Sequence, residues 1–315
     1  MTTVNSVLGP LDTSELGFAL MHEHIILASP GFLRDYPELL EADPLARSVS
    51  ALKEAKAGGV DTILDATTLD LGRNVELVAE ASRLSDVNII ACTGCWQDVP
   101  RFFAGVSADQ LAEVFIREIE EGISGTTIKA GMLKGASDMI GVTPQQKIVL
   151  QALARAHLKT GVPIMLHSYS PGRVGAQQLA ILKEAGVKAG RVKLDHSNDT
   201  TDVEYLLWLL EQGCYLGLDR YPGRNVSPLA RTKTMKALID AGYAGRLCPA
   251  HDWAAACVRT DDPDIPGIDD LNQLNPHGYL YIKKVVFPQL REMGVAEDII
   301  DSLCTTGPRN FLEGV

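Results

Sequence analysis

Short apolar runs alternate with amphipathic stretches along the whole chain. The runs fall at GFALMHEHI (17–25), DTILDA (61–66), NIIACTG (88–94), TTIKAGMLK (126–134), VPIMLHS (162–168), RVKLDH (191–196), CYLGLD (214–219) and RLCPAHD (246–252). Between them apolar positions recur at helical spacing, as over 43–59, 107–122, 143–161 and 200–213. Asp43-Pro44, Ser107 and Thr143-Pro144 have the chemistry of helix N-caps, with each proline at the first helical position, where no backbone N–H is needed. Several helical stretches end in glycine, which enters left-handed backbone at a helix C-terminus without steric cost. Strands that read as near-continuous apolar runs are buried on both faces, and their alternation with helices implies a parallel sheet. Eight of them predict an α/β fold, a (β/α)8 TIM barrel filling residues 1–315 as one domain. An open doubly wound sheet is the competing arrangement. No Gly-x-Gly-x-x-Gly follows the first strand, and no Gly-x-x-x-x-Gly-Lys loop occurs, which weakens it. A polar, proline-bearing stretch at 257–276 follows strand eight, where barrels build lids and pocket walls. Helical patterns return at 277–293 and 296–303.

Charge and composition narrow the function classes. Lys plus Arg number 29 and Asp plus Glu 40, a net charge of −11. Such a chain repels phosphate backbones, so nucleic acid is excluded as a general partner. No apolar run approaches the length of a membrane span, and the N-terminus has no basic segment followed by an apolar one. The expected setting is therefore the cytoplasm, with the six scattered cysteines as reduced thiols. Cys92 and Cys95 form a lone C-x-x-C pair, which is too little for a four-sulfur zinc site.

The positions of the histidines carry the chemistry. Of the seven, His22, His24, His167 and His196 stand near the C-terminal ends of predicted strands, and His251 adjoins Asp252 at the end of the eighth. Barrel enzymes build their active sites at that end. Alternate strand residues share a face, so His22 and His24 point one way and Glu23 the other. Two inward imidazoles suit a zinc-like ion, with a hydrogen-bonded core pair as the plainer alternative. Asp252 reads as a metal ligand, a general base, or the N-cap of a following helix. Strand alternation demotes His251 as a ligand, and Asp195 beside His196 for the same reason. Asp219 and Arg220 read as an ion pair shaping the rim.

Lys129 and Lys134 lie five apart on predicted strand four, Lys134 at its C-terminal end. An ammonium repels metal ions; a carboxylated lysine offers two oxygens that can bridge two of them, whereas an ordinary lysine snorkels or forms an ion pair. Trp96, Phe102, Phe103, Tyr221 and Trp253 either cover helix ends or line an apolar substrate pocket. Ser168 and Ser170 lie near His167, but no Gly-x-Ser-x-Gly nucleophile elbow is present.

Taken together, these segments resemble the phosphotriesterase family of the amidohydrolase superfamily nearly end to end. VLGPLDTSELGFALMHEHI, GTTIKAGMLKGAS, IMLHSYS, KLDHSNDT, AHDW and TTGPRNFL each look like a family motif. The resemblance implies a binuclear site with His22 and His24 on the buried metal and His167 and His196 on the exposed one. It makes Lys134 the N6-carboxylated bridge. Asp252 becomes a ligand of the buried metal and proton acceptor for a bridging hydroxide. The implied cofactors are two divalent ions, zinc foremost, with cobalt, manganese or iron as alternatives. The implied substrate is a small neutral organophosphate triester, lactone or carboxyl ester, held by Trp96, Arg220, Tyr221, Trp253 and the 257–276 loop. GLDRY at 217–221 looks like the lactonase group, whereas KALIDAGY and LNPHGYLYIKKVVFPQLREMGV look like the triesterase branch. A lactonase with only promiscuous phosphotriesterase activity and a non-catalytic, metal-stabilised binding barrel are the alternatives. The resemblance also implies a homodimer.

Overall fold

The computed structural model describes residues 2–39, 43–97, 99–223, 225–257 and 274–315. An antiparallel hairpin, β1 (Thr3–Ser6) and β2 (Gly9–Asp12), precedes the main sheet. The sheet then runs through β3 (Ala19–Leu27), β4 (Thr62–Asp65), β5 (Asn88–Gly94), β6 (Met132–Ser137), β7 (Ile164–Ser168), β8 (Val192–Asp195), β9 (Tyr215–Leu218) and β10 (Leu247–Pro249). Each is parallel to its predecessor in sequence order. A last strand, β11 (Ala254–Cys257), pairs in parallel with β3, so the sheet is a (β/α)8 TIM barrel.

The ring closes through a split eighth stave. β10 pairs with β9, β11 pairs with β3, and residues 250–253 run between them. Asp252 N–H donates to His22 O at 3.2 Å and His24 N–H to Trp253 O at 2.9 Å, stitching that turn to β3. Helices pack outside, and the expected caps form: Asp43 accepts from Leu45 N–H, while Ser107 and Thr143 each complete a reciprocal capping box. Gly161 and Gly213 follow their helices with φ of 75° and 99°. One apolar cluster fills the space between sheet and helices; a second, including Met21, Leu64, Ile90, Met132, Met165, Tyr215 and Cys248, fills the barrel interior.

Strand four begins later than its apolar run suggests. The 126–134 run is strand only from Met132. Before it, Ala130 N–H is taken by Glu118 O and Gly131 N–H by Ala91 O, while Asn5 Nδ2 donates to Ala130 O at 3.0 Å. These bonds place Lys129 ahead of the strand, half-buried, rather than on it. Likewise the helical pattern at 277–293 is broken into a 3-10 turn (Gly278–Leu280), a π-helical turn (Ile282–Val286) and an α-helix (Phe287–Glu292). None of the six cysteines is in a disulfide, and no helix among the described residues is long and apolar enough to cross a membrane.

Candidate metal centre

A β-bulge prepares β3 for its role. The register against β4 shifts between Leu20 and Glu23, which breaks strict alternation. Met21 therefore packs inside the barrel while His22 and His24 also project to its cavity, and Leu20 and Ile25 pack outward against the helices. At the cavity, His22 Nε2 and His24 Nε2 stand 3.3 and 3.2 Å from Asp252 Oδ1. Lys134 Nζ, on β6, lies 3.5 Å from His22 Nε2. A second pair meets beside them: His196 Nε2 is 2.8 Å from His167 Nδ1.

Each ring's other nitrogen faces a polar partner. His24 Nδ1 is 2.8 Å from Thr67 Oγ1, whose hydroxyl donates to Asp65 at 2.6 Å. His196 Nδ1 is 2.9 Å from Asp219 Oδ1, and His167 Nε2 is 3.2 Å from Asp138 Oδ2. His22 Nδ1 lies 3.1 and 3.0 Å from Asp195 and Asp219, although neither contact is a well-aligned hydrogen bond. An outward partner of this kind holds a proton on the outer nitrogen and turns the inner nitrogen toward the cavity, the arrangement of metal-ligating histidines. With the Asp252 carboxylate, this donor set fits divalent cations.

Electrostatics agree. Burial and the Lys134 ammonium oppose a proton on His22, yet Asp195, Asp219 and Asp252 push its pKa up to about 10. A site so crowded with carboxylates takes up positive charge. Burial and the Arg220 guanidinium hold His196 well below the usual imidazole range, and burial lowers His167. Burial by itself would raise Asp252, but the imidazoles of His196 and His22 hold it well below the usual carboxylate range. Asp138, bonded to His167, drops to about 2.

Two left-handed residues aim side chains into the cavity that strand geometry alone would not. His196 (φ 59°) and Asp252 (φ 52°) lie in the region disfavoured for residues with a Cβ, and such conformations concentrate at functional sites. The turn at His196 corrects the expectation for Asp195. Its carboxylate faces inward and contacts Lys134 Nζ at 3.2 Å as well as buried Lys193. Asp219 also departs from expectation. It is fully buried under His196 and His22 and does not pair with Arg220, which reaches Asp252 and Asp199 instead. Gly217 makes room for this floor: a Cβ there would stand 2.4 Å from Asp219 Oδ2 and 2.5 Å from Asp195 Oδ1. Lys193 and Asp138 carried no signal in the sequence beyond their charge.

The cavity holds about 250 Å³ and is walled by Leu27, Leu71, Trp96 and Ala254 above the ionisable floor, with Arg220 at its edge. Trp96 Nε1 donates to His167 Nδ1 at 3.3 Å. Tyr221 and Trp253 do not line the cavity formed by the described residues. Tyr221 is buried in the apolar core and stacks on Tyr281, and Trp253 packs edge-on to Tyr279 at 4.7 Å. Both rings are taken up by packing against the 279–281 segment. His251 is no ligand either, since its nitrogens contact Glu23 and the Ile282 N–H. Most of the 257–276 loop and the Phe102 side chain lie outside the described residues.

A sequence model of the phosphotriesterase family matches residues 2–312. A phosphotriesterase homology protein of Mycobacterium tuberculosis is 36% identical over 325 aligned residues, covering 99% of this chain and 98% of that protein. An aryldialkylphosphatase of Saccharolobus solfataricus is 32% identical over 306 residues, covering 96% of each. An N-acetyltaurine hydrolase of Rattus norvegicus is 29% identical over 354 residues, covering 98% and 97%.

Proposed function

This chain belongs to the phosphotriesterase family of hydrolases, and on that premise we propose that it hydrolyses small uncharged esters, phosphotriesters or lactones, with two divalent cations. The observation that carries the reading is the convergence of four imidazole nitrogens and Asp252 Oδ1, each ring's other nitrogen facing a polar partner. His22, His24 and Asp252 would hold an inner cation, His167 and His196 an outer one, and Lys134, carboxylated by CO2, would serve both. Zinc is the expected metal. When bound, such cations supply an activated water at neutral pH and polarise the phosphoryl or carbonyl oxygen.

The chain's own residues do the rest. Asp252, kept anionic, takes the proton of the attacking water. Arg220 Nε sits 3.1 Å from Asp252 Oδ2, but a guanidinium cannot accept a proton, so the proton passes from Asp252 to solvent. Trp96, Leu27, Leu71 and Ala254 give an uncharged substrate an apolar wall. Arg220, the guanidinium at the cavity, is already paired with Asp199 and Asp252, and a carboxylated Lys134 carries no positive charge, so neither side chain is free to bind an anionic substrate such as a sulfonated amide. The likeness of the GLDRY run to the lactonase group favours a second reading, a lactonase with only promiscuous phosphotriesterase activity.

The test is a substrate panel on protein reconstituted with zinc, cobalt or manganese and bicarbonate. Aryl dialkyl phosphates, γ- and δ-lactones with alkyl tails, and N-acetyltaurine are compared by kcat/KM. The higher value is expected for one of the uncharged classes. Metal-loaded protein inert on every member would leave a binding barrel without turnover.

A further inference from the structure

Glu23 stands between the two cavity histidines and faces the other way, yet it is fully buried. Its carboxylate accepts three N–H groups from the turn that carries Asp252. They are the backbone of His251 at 3.0 Å, the His251 ring Nδ1 at 2.6 Å and the backbone of Trp253 at 3.1 Å. These bonds bracket Asp252, whose φ of 52° is one the chain holds only where its surroundings impose it. The His251 ring is in turn fixed from behind: its Nε2 accepts the Ile282 N–H at 3.1 Å, at the start of the π-helical turn. Both nitrogens are thereby used, with the proton on Nδ1. One strand thus governs three ligands. The cavity face of β3 supplies His22 and His24, and its opposite face grips the backbone on either side of the third, Asp252. A glutamine could not do the same, because all three partners are donors and an amide replaces one acceptor oxygen with N–H groups.

We propose that Glu23, supported by His251, is a positioning residue for the inner cation site, setting the turn so that Asp252 Oδ1 meets the Nε2 atoms of His22 and His24. The inference rests on the metal-hydrolase reading above. Its readout is metal affinity, measured by zinc competition with a chromophoric chelator, together with the metal count per chain. Glu23→Gln is expected to weaken one of two zinc sites by about 10–100-fold, the range for partners that orient ligands. A core truncation remote from the site, Leu182→Ala, serves as a control that lowers the melting temperature without moving zinc affinity. His251→Asn keeps an N–H toward Glu23 and His251→Leu does not, so Asn should bind zinc more tightly than Leu; this pair decides the matter if Glu23→Gln does not fold. Wild-type zinc affinity in Glu23→Gln, or equal wild-type affinity in both His251 variants, overturns the proposal while leaving the hydrolase reading intact. A wild-type protein that takes up no zinc overturns both.

Discussion

Arg220 spans two carboxylates: its Nε lies 3.1 Å from Asp252 Oδ2 and its Nη1 2.6 Å from Asp199 Oδ2. Asp199 is itself held by the buried Arg231 at 2.8 Å, so the bridge is braced from outside the cavity. A cation beside an acid lowers the pKa of that acid, and its removal raises it. Arg220→Gln is therefore expected to move the acid limb of the pH–rate profile to higher pH and to cut kcat/KM by about tenfold, the scale of one charge-assisted hydrogen bond. Arg220→Lys should restore part of the limb. An unmoved limb in Arg220→Gln would separate Asp252 from proton transfer.

Metal uptake should release protons. In the metal-free protein the folded-state pKa of His22 is raised to about 10 from 6.5. The stability this contributes is fully present below pH 6.5 and is lost as pH climbs through 10. A cation competes with that proton, so zinc affinity should strengthen at least about tenfold per pH unit between 7 and 9, carboxylation of Lys134 releasing further protons. Calorimetry in buffers of different ionisation enthalpy reads the released proton directly, and a buffer-independent heat would contradict it.

Asp138 is expected to tune the outer cation. It faces His167 Nε2 at 3.2 Å and, with its pKa near 2, stays anionic throughout the neutral range. Replacing it by alanine frees that imidazole to exchange its tautomer. The second zinc should then bind about 10–100-fold more weakly while the first is unaffected. A two-step zinc titration distinguishes this from a uniform loss.

In the proposed two-cation site, Lys134 is the residue on which the metal count depends. Lys134→Ala should strip metal and abolish turnover, with elemental analysis as the check. Normal metal content in that variant would refute a lysine bridge.

Beneath the site, Lys193 and Asp195 form a fully buried ion pair, and Asp195 also contacts Lys134 and His22. Lys193→Met leaves a buried carboxylate short of one cation and should cost roughly 3–5 kcal/mol of stability by urea denaturation.

The apolar runs and the helical spacing between them were enough to count eight strands, place the helix caps and put His22, His24, His167, His196 and Asp252 at one end of a parallel barrel. This was possible because burial on both faces and amphipathic periodicity are local consequences of sequence. The start of strand four was not legible, since the backbone bonds of Ala130 and Gly131 go to Glu118 and Ala91, on other elements that the apolar run does not include. The bulge between Leu20 and Glu23 and the left-handed turns at His196 and Asp252 were hidden for the same reason. Alternation assumes a regular strand, and it fails where the barrel bends the chain to aim a side chain. So the residue types and their strand ends were set by the sequence itself. Only the folded barrel decided that Asp195, Asp219 and Asp138 stand behind the histidines, that Arg220 serves Asp252, and that Tyr221 and Trp253 pack inside, because contacts between distant segments exist only once the ring has closed.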